Sequence, residues 1–100
     1  MGIEQIKGLL YMKLYRELKV FMDESLQQSK SDIIADCFKI NMYIVLYEIL
    51  LEEIEQMNKY DVKKLFLQET ILQSLYDTYT DLYGDDYEKI KQFVKEVVEE

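Results

Sequence analysis

The chain has no proline and only three glycines, Gly2, Gly8 and Gly84, in 100 residues. Proline and glycine end helices and build tight turns. A chain nearly free of both is poorly equipped for the many turns of a β fold. It favours long helices separated by a few short breaks. Its hydrophobic fraction, 49%, is too high for a disordered acidic tail. Residues 1–100 are enough for a single domain around one core.

The spacing of apolar residues agrees with helices. Ile3, Ile6, Leu10, Leu14, Leu18 and Phe21 form one stripe of a helix over 3–27, widened by Tyr11, Tyr15 and Met22. Ser29-Lys30-Ser31 breaks this pattern. Ser31 suits an N-cap, and Asp32 and Asp36 sit where a helix dipole favours negative charge. Residues 32–58 form the second helix, apolar on nearly every side from Phe38 to Leu51. Its wet stripe runs through Asn41, Glu48, Glu52 and Glu55. Such a helix is central, and the short joint folds the pair into an antiparallel hairpin. Ile40, Ile44, Leu46, Tyr47, Ile49 and Leu50 are expected in the core.

Three shorter helices follow. Asp61 can cap one holding Val62, Leu65 and Phe66. Thr70-Ile71-Leu72-Gln73 is a capping-box pattern that starts another at Ile71. It carries Leu75, Tyr76, Tyr79 and Leu82, and Gly84 is a natural stop. Asp85-Asp86-Tyr87-Glu88 offers a second box before a last helix lined by Tyr87, Ile90, Phe93, Val94 and Val97. The expected fold is all-α, a compact bundle of four to five helices built on the long antiparallel hairpin.

The residue types narrow the chemistry. There is no histidine, which excludes His-based zinc sites, the Glu-x-x-His pairs of di-iron bundles and a serine triad. Cys37 is the lone cysteine. With Asp36 beside it and no base to form a thiolate, it reads as a buried structural thiol. Asp77 to Glu88 has the length of a calcium loop, but Tyr79 and Leu82 occupy a ligand position and the turn-glycine position. No glycine-rich phosphate loop is present. The expectation is a protein without enzymatic activity, with no catalytic, metal or cofactor residue.

A lone cysteine excludes an internal disulfide and points to a reducing compartment. The first residues show no signal-peptide pattern. The most apolar run, 40–51, is too short and too polar to span a bilayer. Cytoplasmic residence is therefore expected. With 20 acidic residues against 12 basic and a net charge of -8, direct contact with nucleic acid or an anionic membrane is disfavoured.

What remains is binding to protein. Residues 65–88 hold six acids and no base. Asp77, Asp81 and Asp85 recur every four residues on one helical face, followed by Asp86. Like charges at this spacing cost a helix about 0.2–0.5 kcal/mol per pair, so helix stability does not explain them. Tyr76, Tyr79, Tyr83 and Tyr87 follow the spacing of a neighbouring face. Tyrosine can border a core with its hydroxyl in water or form a contact surface. These eight residues are the candidates for docking a protein partner with a basic, nucleic-acid-binding cleft. Self-association is the alternative. Leu9, Met12 and Val20 lie off the first helix's core stripe, and a symmetric dimer would cover them.

The segments LLYMKLYRELKVF (9–21), the apolar second helix, the short helix 61–67 and LYDTYTDLYGDDYEKIKQFVKEV (75–97) together resemble a family of unknown function. Its members are small acidic helical proteins, met mainly in Firmicutes and often near mobile elements. The family has no established activity, so the resemblance implies no residue roles. In kind, the chain is similar to the small acidic inhibitors that phages and plasmids use against nucleases, including anti-CRISPR proteins.

Overall fold

The computed structural model describes residues 2–83 and 89–99. Among them lie six helices: α1 Ile3–Leu26, α2 Lys30–Ala35, α3 Cys37–Gln56, α4 Lys59–Phe66, α5 Leu72–Tyr83 and α6 Ile90–Glu99. The all-α bundle is the architecture read from the sequence. The capping box expected at Asp85 to Glu88, and the stop at Gly84, lie outside the described residues. No helix of the described residues is long and apolar enough to cross a membrane.

The expected second helix is two helices. Asp36 takes φ -93°, ψ 6°, the backbone of a turn rather than of a helix interior. The chain therefore bends between α2 and α3. The break also moves the cap. Ser29, not Ser31, is the N-cap of α2, its Oγ accepting from the Asp32 N–H. The cap of α4 is likewise one turn earlier than expected. Asn58 Oδ1 accepts from the Asp61 N–H at 2.8 Å.

The hairpin of α1 and α3 is antiparallel. Near its start α1 reaches the end of α3, where Lys7 Nζ donates to the Glu55 carbonyl. Near its end, Phe21 stacks on Tyr43, centroids 3.9 Å apart. Against this pair pack α4, which lies along α1, and α5 and α6, which lie along α3. α3 is thus central, as its apolar character required. Its innermost line is Met42, Tyr43, Leu46, Leu50 and Ile54. Of the six residues expected in the core, Leu46 and Leu50 are fully buried. Ile40, Ile44, Tyr47 and Ile49 are half-buried, on the flanks of that line. Asn41, Glu48, Glu52 and Glu55 are exposed as expected.

Leu46 has 0% of its surface exposed, whereas Ile44 retains some access to solvent. Leu46→Ala should destabilise the fold by about 2–5 kcal/mol through lost burial and a residual cavity. Ile44→Ala should cost measurably less. Urea unfolding of the two variants beside the wild type gives this ranking directly.

Candidate functional site

The first determinant of surface layout is a set of long-range contacts made by α1. Helix ends leave backbone groups without intrahelical partners. At the start of α5 the carboxylate of Glu17 fills that role. Its Oε1 accepts from the Ile71 and Leu72 N–H groups at 2.8 and 3.0 Å, and its Oε2 from the Gln73 N–H at 3.0 Å. One turn earlier on α1, Lys13 Nζ donates to the Phe66 carbonyl at 2.7 Å and to the Gln68 carbonyl. A cation thus sits at the C-terminal end of α4 and an anion at the N-terminal end of α5. Both match the helix dipoles. The capping box expected at Thr70 is replaced by Glu17, and the Thr70 hydroxyl meets Ser74 instead.

So held, α5 turns Leu72, Leu75 and Tyr79 inward. Tyr79 is fully buried, 5.3 Å from Phe93 of α6 in an edge-to-face contact. That corrects its assignment to the partner surface. It lies one turn beyond Leu75 on the core stripe, and the spacing that groups it with the other tyrosines also groups it with the core leucines. Asp77 and Asp81 project from the other side and are exposed, as are Ser74 and Thr78. Tyr76 and Tyr83 are half-buried at the margins. Asp85, Asp86 and Tyr87 lie outside the described residues.

Tyr76 joins an aromatic cluster that the sequence did not announce. Its ring centroid is 5.6 Å from Tyr43 and 6.5 Å from Phe38. Lys39 Nζ stands 5.3–5.8 Å from the ring centroids of Phe21, Tyr43 and Tyr76, a cation–π arrangement that joins α1, α3 and α5. Carboxylates approach the same place. Asp77 and Asp36 act on Tyr76, whose pKa is raised first by burial and then by those charges. The Tyr43 phenol is pushed up to about 12, chiefly by burial, then by Glu17, Asp77 and Tyr76.

A second surface lies along α1. Leu9, Met12 and Val20, the self-association candidates, are 40%, 59% and 51% exposed. They form one wall of a groove of about 700 Å³, with Arg16 between them and Phe66, Glu69 and Gln73 opposite. This groove was missed, because its far wall comes from the α4–α5 junction.

Cys37, expected to be buried, is exposed. The turn at Asp36 makes it the first residue of α3 instead of an interior position of one long helix. Among the described residues no three acidic or cysteine side chains gather as a metal site. The chain matches no family model, no curated protein and no solved structure. The roles of these surfaces rest on their own chemistry.

The raised pKa of Tyr43 has a testable consequence. Below pH 10.0, its ordinary value, the phenol is protonated in both folded and unfolded chains. Above it the unfolded state releases a proton that the folded state keeps. Tyr43 therefore contributes stability that is fully present below pH 10.0 and is lost as pH rises through about 12. Urea midpoints measured across that window should fall less steeply in Tyr43→Phe than in the wild type.

Proposed function

We propose that this chain is a non-enzymatic binding protein that docks the acidic face of α5 onto a basic surface of a protein partner. The observation that carries this reading is the exposure of Asp77 and Asp81, four residues apart on a helix whose first turn is clamped by Glu17. Carboxylates on a clamped helix are presented at fixed spacing. No lysine or arginine occurs from residue 65 to 88, and the bases at the margins, Lys39 and Lys89, stand over the rings of Tyr76 and Tyr83. Asp36, at the bend before α3, acts on Tyr76 together with Asp77 and extends the acidic area. Tyr76 and Tyr83 flank the carboxylates with apolar surface and a polar tip, a combination suited to interfaces.

Basic clefts evolved to hold phosphates are the natural counterpart of such a face. The partner is then a nucleic-acid-handling protein, and occupation of its cleft inhibits it. The similarity in kind to acidic phage and plasmid inhibitors supports the same reading. Complementary charge of this sort chiefly accelerates association and makes it salt-dependent.

The triple variant Asp77→Asn, Asp81→Asn, Asp85→Asn removes three of the six negative charges between residues 65 and 88. Its stability should stay within about 0.5 kcal/mol of wild type, as for most surface changes. A partner captured from host lysate should bind the variant markedly more weakly at low salt, with a smaller difference at high salt. Equal binding at low salt would show that the contact lies elsewhere.

A further inference from the structure

We propose that two copies of this chain associate through α1, packed antiparallel across a two-fold axis near Val20. This rests on the α1 surface and is independent of the role given to α5.

The first argument is exposure. Val20 is a large apolar side chain 51% in water, on one side of a helix whose other side is core. Leu9 and Met12 continue that side outside residues 14–26, the part of α1 that overlaps its copy in a pair centred on Val20. Tyr15 beside them is 57% exposed. The groove of about 700 Å³ runs beside this face, between α1 and the α4–α5 junction.

The second argument concerns the occupant. The chain carries -8 overall, so two copies repel through most of their surface. α1 carries no net charge, as is also true of α2 and α6, while α4 is positive. α1 holds four bases, Lys7, Lys13, Arg16 and Lys19, against four acids, Glu4, Glu17, Asp23 and Glu24. The whole negative excess lies elsewhere. Net charge on α1 therefore does not oppose the approach of a second copy there.

The third argument is the order of those charges. Lys7, Lys13 and Glu17 are turned to the ends of other helices. Among the charges left exposed on the outer half of α1, Arg16 and Lys19 come first and Asp23 and Glu24 follow. No described residue forms a hydrogen bond or ion pair with Arg16 or Glu24. An antiparallel pair about Val20 sets the basic turn of each copy beside the acidic turn of the other, twice. A parallel pair would set like against like. Such a surface is complementary to itself under a two-fold rotation, which is what a symmetric dimer requires.

Light scattering and sedimentation on the full chain test this. The wild type should be dimeric at high concentration and dissociate on dilution. Arg16→Glu and Glu24→Arg should each weaken the dimer about tenfold, by placing like charges together at two symmetric positions. The double variant Arg16→Glu, Glu24→Arg should return to within about threefold of wild type. A general effect of net charge gives another pattern, because Glu24→Arg reduces the acidity of the chain and would then strengthen association. Val20→Asp, at an exposed position that leaves the helical circular dichroism unchanged, should give a monomer. A monomeric wild type at the highest concentration reached overturns the proposal. So does a double variant no better than the single ones. A foreign helix bound in the groove of a monomer would show that another molecule covers this face.

Discussion

The arrangement depends on two charges four residues apart on one helix. Where α4 ends and α5 begins, the backbone presents carbonyls and then amides within a few residues. Each set needs a partner of opposite sign. Lys13 and Glu17 lie on adjacent turns of α1, about 6 Å apart along its axis. That spacing lets the ammonium meet the Phe66 carbonyl while the carboxylate meets the Ile71, Leu72 and Gln73 amides. Lys7 repeats the device at the end of α3. Hydrogen bonds to charged groups contribute about 1.5–3 kcal/mol each, more than neutral ones. They also have direction, which apolar packing lacks. Burial of Leu10, Leu14, Leu46 and Ile71 drives collapse, and the three α1 side chains fix where the short helices stop and start.

The same contacts divide the surface. With α5 clamped and Tyr79 locked against Phe93, Asp77 and Asp81 can face only outward. With Lys13 and Glu17 drawn to one side, α1 is left with an apolar line interrupted by Arg16. The cluster around Lys39 joins the two regions. It places a cation among aromatic rings where α1, α3 and α5 meet, close to the carboxylates that act on Tyr43 and Tyr76. The outward set of Asp77 and Asp81 and the exposed side of α1 both follow from how helix ends are satisfied.

Periodicity made the helices legible in the sequence. The stripe of α1, the apolar character of α3 and the exposure of Leu9, Met12 and Val20 follow from spacing alone. Helix starts were less legible where adjacent residues compete for the same task. Ser29 and Ser31 can both cap, as can Asn58 and Asp61, and the backbone decides between them. Glu17 was illegible. It is one acid among 20, and the amides it meets are more than fifty residues away. Tyr79 shows the opposite limit, since a residue that is both apolar and polar fits the core and the surface patterns equally well. The candidate site was therefore half read. Asp77 and Asp81 are exposed on one side of α5, as their spacing suggested, and the clamp at the start of that helix was not legible.

Amide hydrogen exchange tests the role of Glu17 most directly. In Glu17→Ala, the Ile71, Leu72 and Gln73 amides should exchange about 10- to 100-fold faster, as expected from losing charge-assisted hydrogen bonds. The amides of α3 around Leu46 should change less. Unchanged protection at all three amides would contradict the account, because the start of α5 would then be held by packing alone.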